Sequence, residues 1–279
     1  YRARLRSTDP AAVPGMAEAP DDGEAVVLRA TVAYDGSGFH GFAVNRGVRT
    51  IAGTLEDALG RILGTPITIT CAGRTDKGVH ARRQVISFPV GSTTGLDLGR
   101  VQNSVDRLNG TEVVVRDLVV APSGFDARFS ARWRRYRYRL CNAPAGDPCR
   151  RHISWHVPEP LDLDAMNTAG THLLGEHDFS SFCRRPKPTE GSPTPSMIRE
   201  ILDAGWSRGS GEDRDLVTFE VRATSFCHQM VRSLVGTLVD VGLGRIGAAE
   251  LAGILAARDR QAAGRVAPPQ GLTLWDVGY

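Results

Sequence analysis

The chain has 279 residues, 41% hydrophobic and 23% charged, with a formal net charge of +3. This is the profile of a soluble globular protein of roughly two domains at about 150 residues each. No apolar run approaches the roughly 20 residues that span a bilayer, which argues against a membrane protein, and the cysteine usage fits a reducing cytosol.

Residues 1–24 mix Arg2, Arg4 and Arg6 with alanine, proline and a short acidic patch, and show no periodicity. They read as a disordered tail, too acidic after its basic start for an organelle signal and without a secretory pattern. Val26 to Tyr34 reads as a strand ended by Asp35-Gly36. Ile51, Leu55, Leu59 and Ile62 then recur at helical spacing behind Thr50, a suitable N-cap. Pro66–Thr70 reads as a strand and Gln84–Phe88 as the next one. Between them, Cys71-Ala72-Gly73-Arg74-Thr75-Asp76-Lys77-Gly78-Val79-His80-Ala81 is longer than a hairpin turn needs. It sets Arg, Asp, Lys and His on a loop held by strands at both ends, where chemistry is often placed. Without further context it is equally a solvated turn, with Gly78 supplying positive φ. A helix from about Leu96 to Leu108, closed by Asn109-Gly110, and a strand at Val113–Val120 complete the order β-α-β-β-α-β, the split βαβ arrangement.

A second round follows. Trp133–Cys141 alternates like a strand, Leu163–Leu174 reads as a helix, and Ile198–Trp206 and Leu216–Val221 read as strands. A helix spans Ser225–Val241, a shorter one about Ala248–Ala257, and Leu272–Val277 is a closing strand. The repeated order suggests two similar halves. The connection from Arg184 to Ser196, with prolines at 186, 188, 193 and 195, reads as a flexible loop, a basic flap over a substrate being the functional alternative. His152 and His156 would stand on one strand face about 13 Å apart, too far for a shared metal. The five cysteines, odd in number and without CxxC spacing, give no expectation of a disulfide framework or a structural zinc site.

Charge is concentrated. Ala127 to Arg151 holds eight arginines against the single acid Asp147, leaving the rest of the chain net negative. Such a stretch suits a polyanionic partner. In the run Arg132 to Arg139, strand alternation sets Arg134, Tyr136, Tyr138 and Leu140 on one face, and Trp133, Arg135, Arg137 and Arg139 on the other. Cations interleaved with aromatics suit stacking on unpaired RNA bases, while an edge strand kept soluble by charge is the plainer explanation. On the helix from Ser225, His228 and Arg232 lie one turn apart at the border of an apolar stripe, where an arginine needs a carboxylate partner. That pair is equally an ordinary structural feature. The metalloprotease, P-loop, dinucleotide-binding and serine-hydrolase signatures are all missing.

Gly73-Arg74-Thr75-Asp76 with Gly78-Val79-His80-Ala81 resembles the signature loop of the tRNA pseudouridine synthase A family. Further segments resemble that family in order: Ala33-Tyr34-Asp35-Gly36, Phe129-Ser130 with Arg135-Tyr136-Arg137-Tyr138, and Gly175-Glu176-His177-Asp178-Phe179. Then come Phe226 with Met230-Val231-Arg232, and Ala267-Pro268-Pro269-Gln270-Gly271-Leu272. Two positions depart from it: Phe42-Ala43 stands for a usual Trp-Gln, and Lys77 for a usual small residue.

The resemblance implies isomerisation of uridine to pseudouridine at positions 38 to 40 of the tRNA anticodon stem-loop, by a homodimer without cofactor or metal. It implies Asp76 as the catalytic carboxylate, Arg232 as its ion-pair partner, Tyr136 as the ring under the target base, and Arg74 as a residue that admits the flipped nucleotide. Arg132, Arg134, Arg137 and His228 are further expected RNA contacts. The implied fold is α+β, two split-βαβ (ferredoxin/RRM-like) halves whose antiparallel sheets form a central RNA-binding cleft. The expected division is a tail at 1–24, a first domain at 25–123 with the Asp76 loop, and a second at 124–279 with the basic strand and the Arg232 helix. Two other functions fit part of the pattern. A non-catalytic module of two RRM-like halves would explain the basic strand but not the loop carboxylate. An RNA glycosidase would share the carboxylate but needs a water path and usually a second acid.

Overall fold

The computed structural model describes residues 26–185 and 195–279. The expected tail at 1–24, and most of the proline-rich connection, lie outside the described residues. The chain is α+β. Its elements are β1 (Val26–Tyr34), α1 (Ile51–Leu63), β2 (Thr70–Cys71), β3 (His80–Val90), α2 (Leu98–Asn109), β4 (Val113–Val120) and β5 (Trp133–Cys141), then β6 (Trp155–His156), α3 (Leu163–Gly170), β7 (Gly175–Asp178), β8 (Ile198–Arg208), β9 (Leu216–Ala223), α4 (Met230–Gly242), α5 (Glu250–Ala257) and β10 (Leu272–Gly278). Among the described residues, no helix is long and apolar enough to cross a membrane.

One sheet runs through the molecule in the order β4-β1-β3-β10-β5-β9-β8-β7, with β2 beside β3 and β6 beside β5. Its neighbours are antiparallel except at β5–β6 and at the central joint. There, β10 pairs parallel to β3 through Thr273 opposite His80 and Leu274 opposite Ala81. Side chains alternate across the pleat. On β1, Leu28, Ala30, Val32 and Tyr34 are buried; on β9, Val217, Phe219, Val221 and Ala223 are. The opposite face is half-exposed along both strands.

Local chemistry explains most element ends. Thr50 caps α1 by accepting the Gly53 N–H at 3.2 Å, and Gly64 ends it at φ 70°. Asp97 accepts the Arg100 N–H, so α2 begins at Leu98 rather than Leu96. The expected strand at 66–70 shrinks to Thr70–Cys71. Pro66 has no N–H to give, and the Ile69 N–H goes to the Glu56 carboxylate at 2.9 Å instead of a neighbouring strand. The largest departure is α4, which begins at Met230 instead of Ser225. Gln229 sits in the left-handed region at φ 65°, so Ser225–Gln229 form a loop. Two contacts hold that loop: the Arg184 N–H donates to the His228 carbonyl, and Cys183 is joined to Cys227. This single crosslink, between α-carbons 5.8 Å apart, corrects the expectation from cysteine count and spacing. His152 lies in a turn and His156 on β6, so they do not share the strand the sequence suggested.

Gly36 shows how tightly the first loop packs on β3. A Cβ there would lie 2.0 Å from the Val79 carbonyl oxygen, a backbone atom that cannot swing aside. Gly36→Ala is therefore expected to destabilise the fold by about 1–3 kcal/mol, the cost of overpacking, read from the urea-unfolding midpoint.

Candidate active site

The loop between β2 and β3 is fixed at nearly every residue. The Ala72 N–H donates to the Val85 carbonyl at 2.9 Å. Gln84, fully buried on β3, spans Gly73: its amide nitrogen donates to the Gly73 carbonyl at 2.6 Å and its amide oxygen accepts the Gly73 N–H at 3.3 Å. The Tyr34 hydroxyl lies 2.8 Å from Thr75 Oγ1, and the Thr75 carbonyl accepts the Phe42 N–H at 3.0 Å. Gly41 makes that approach possible. At φ 99°, with Thr75 O 3.0 Å from where a Cβ would sit, it leaves little room for a side chain. The Asp76 carbonyl accepts the Val79 N–H, and Gly78 turns the chain at φ 77°. Thr75 thus points inward, Arg74 and Lys77 are exposed, and Asp76 stands between them, half-buried.

Asp76 Oδ2 lies 3.0 Å from Arg232 Nη1, and Oδ1 lies 3.3 Å from His228 Nε2. The Arg232 side chain is only 13% exposed, so its charge needs the carboxylate. Its Nε donates to the Ala267 carbonyl at 2.7 Å, while the Ala267 N–H donates to the Arg232 carbonyl at 3.0 Å. That fixes the guanidinium fork before any substrate arrives. His228, on the loop rather than the helix, is half-exposed beside the carboxylate.

Tyr136 forms the inner wall. Its ring is buried and meets Phe226 edge-on, with centroids 5.0 Å apart at 86°. Burial pushes its phenol well above the ordinary tyrosine range, against a smaller downward pull from the Arg134 cation. The sequence did not single out Phe226 on its own, or the supports Gln84, Tyr34 and Thr75. A polar glutamine opening the strand run that continues as Val85-Ile86-Ser87-Phe88 was the one available signal.

The remaining expected contacts separate. Arg74 is exposed on the loop itself, and Arg132 is exposed just before β5. Arg134 is not available to RNA. It is 8% exposed, and its guanidinium donates to the carbonyls of Ala72, Arg128, Ala131 and Thr224 at 2.6–3.1 Å. The alternation had placed it on the Tyr136 face, which is the buried one. Arg137 points to the opposite face, pairs with Glu220 and lies 3.9 Å over the Trp275 ring, so it does not reach Asp76. Glu220 also takes Arg135 at 3.2 Å, which further lowers the free charge of the basic strand. Lys77 Nζ lies 3.1 Å from His40 Nε2, so its added charge turns towards the neighbouring loop. Among the described residues, no group of three or more His, Cys, Asp or Glu side chains is placed to hold a metal.

Arg134 joins the start of the Asp76 loop to the start of the loop carrying Phe226 and His228. A lysine cannot reach four carbonyls, and each buried acceptor left without a donor costs about 1–3 kcal/mol. Arg134→Lys is expected to lose about 3 kcal/mol of stability by urea unfolding. The same variant, below its melting temperature, should leave the salt dependence of RNA binding unchanged.

A family model described as tRNA pseudouridine synthase matches residues 169–279. A protein of Brevibacillus brevis is 40% identical over 254 residues, covering 90% of this chain and 99% of that protein. One of Frankia casuarinae is 44% identical over 258 residues, covering 91% and 89%, and one of Streptomyces avermitilis is 43% identical over 263 residues, covering 91% and 88%. All three are named tRNA pseudouridine synthase A. With this likeness running through both the Asp76 loop and the Arg232 helix, the chain belongs to the tRNA pseudouridine synthase A family.

Proposed function

We propose that this chain isomerises uridine to pseudouridine in tRNA, at positions 38 to 40 of the anticodon stem-loop. The observation that carries it is the Asp76 carboxylate, paired with Arg232 at 3.0 Å and flanked by the buried Tyr136 ring. The reaction breaks the N1–C1′ bond, turns the uracil and joins C5 to C1′. C5 loses its proton and N1 gains one, so no electrons are exchanged. An ionised carboxylate can stabilise the electron-poor sugar, bond to it, or take a proton, and each of these needs the anion inside the pocket. The Arg232 guanidinium favours that anion. The target base must leave its stack, at a cost of a few kcal/mol, and a ring such as Tyr136 recovers part of it. Arg74, Arg132 and His228 are the contacts to RNA around the pocket; Arg134 is spent on backbone carbonyls, and Arg137, on the opposite sheet face, would meet RNA only away from Asp76.

The same proposal takes the chain as two split-βαβ domains at 25–123 and 124–279. The strand orders β4-β1-β3-β2 and β10-β5-β9-β8 support it, since each follows the fourth-first-third-second pattern of one split βαβ unit. It also takes the enzyme as a cytoplasmic homodimer, for which the half-exposed sheet face offers a surface.

Incubation with tRNA followed by nucleoside analysis tests the activity. Pseudouridine is expected; free uracil or unchanged uridine would overturn it. Asp76→Asn is expected to bind tRNA normally and lose roughly a thousandfold in turnover, about 4 kcal/mol of barrier. More than a tenth of the activity remaining would remove Asp76 from the chemistry. Arg232→Lys keeps the charge without the fork and should recover only part of the rate. Because burial keeps Tyr136 protonated, Tyr136→Phe should leave the alkaline limb of the pH–rate profile where it is in the parent enzyme.

A further inference from the structure

Beside the Asp76 pocket lies a second cavity of about 310 Å³, lined by Ser37, Gly78, Arg151, His152, Pro269 and Gln270. Its walls come from four separate stretches of chain, and one buried side chain gathers them. His80 is 6% exposed. Its Nε2 lies 2.9 Å from the His152 carbonyl and 3.1 Å from the Gln270 carbonyl, so this nitrogen carries the proton. Its Nδ1 accepts the Gly36 N–H at 3.1 Å. Three of the four walls therefore meet on one imidazole at the floor.

The cavity is tied to the catalytic pair along two independent segments. Gly78 lies two residues from Asp76, about 7 Å of chain at most. Ala267, which holds Arg232 from both sides, is followed within three residues by Pro269 and Gln270. The cavity thus shares two of its walls with the segments that carry and hold the catalytic pair.

The lining carries one cation, Arg151, and no carboxylate. Arg150 is neutralised by Asp147 at 3.1 Å and Asp213 at 2.8 Å. Arg151 forms no ion pair among the described residues, and its recorded hydrogen bond is to the Pro148 carbonyl at 3.2 Å. The exposed His152 ring and the Ser37 hydroxyl add donors. Asp35, beside the Ser37 wall, accepts the Ser37 N–H at 2.9 Å. We propose that this cavity binds a phosphodiester of the RNA adjoining the target uridine, with Arg151 as its principal cation and His80 as the residue that positions its walls. This rests on the tRNA reading above.

The test is direct binding of an anticodon stem-loop RNA, measured by titration without turnover over a range of salt. Arg151→Ala should bind about tenfold more weakly at 0.1 M salt. Its slope of log K against log salt should be shallower by about 0.7 to 0.9, one phosphate contact. Arg150→Ala, whose charge is already paired, should leave the slope unchanged. A neutral methylphosphonate at one of the two phosphates flanking the target uridine should weaken parent binding about tenfold and cost Arg151→Ala nothing more. Equal slopes for the parent and Arg151→Ala, equal effects at 150 and 151, or a full methylphosphonate loss in Arg151→Ala would each overturn the subsite. Nucleoside analysis of the parent enzyme is read separately. Arg151-dependent binding without pseudouridine would overturn the activity and leave the subsite standing; pseudouridine without that dependence would do the reverse.

Discussion

Two rungs of parallel ladder, Thr273 to His80 and Leu274 to Ala81, set where the rest of the site falls. They place the end of the Asp76 loop against β10, and the segment just before β10 is the one that grips Arg232. An ion pair between residues 156 positions apart then needs no separate long-range contact to hold it. It is a by-product of strands that must meet to bury their apolar faces, and burial supplies the larger energy. The loop itself is held by polar ties to Gln84, Tyr34 and Phe42.

The site contains two guarded guanidinium groups that do different work. Arg134 faces only backbone carbonyls, so its donors are spent and its charge is spread among dipoles. Burial pulls its proton affinity below the usual arginine range, and nearby phenols pull it back in part. Arg232 shares its donors between one carbonyl and one carboxylate, and keeps part of its surface open. The first can only hold segments together. The second can respond when negative charge on Asp76 changes during a reaction. Residue type and burial do not distinguish such arginines; the nature of the acceptor does.

Much of this was legible in the residues. Val26–Tyr34 and Trp133–Cys141 match their strands because each is long and alternates, which is the strongest signal a strand can give, while Val113–Val120 matches through its β-branched run although Arg116-Asp117 breaks the alternation. The inner face of β5 is readable as well, and Arg134 lies on it: its charge points to RNA, but its place in the alternation, with Tyr136 and Tyr138, points to the interior. The start of α4 was hidden. Ser225 to Gln229 carry good helical spacing, and only tertiary ties to Arg184 and Cys183 take that segment off the helix. β6 and β7, two and four residues long, are too short to hold a period. Asp76, Arg232 and Tyr136 came from motif resemblance, and the geometry joins them. The role of His80 depends on partners far away in sequence, which no local pattern encodes.

The central place of β10 also bears on how the molecule is made. Thr273 follows His80 by 193 positions, so a ribosome working at about 5–20 residues per second finishes β3 roughly 10 to 40 s before β10 exists. Through that interval the His80–Ala81 end of β3, beyond its short pairing with β2, lacks its β10 partner, and the Asp76 loop has no Arg232 segment beside it. Such distant pairing is slow to find and leaves a strand edge open to wrong neighbours. The nascent first half carries its carboxylate with no arginine yet made to hold it.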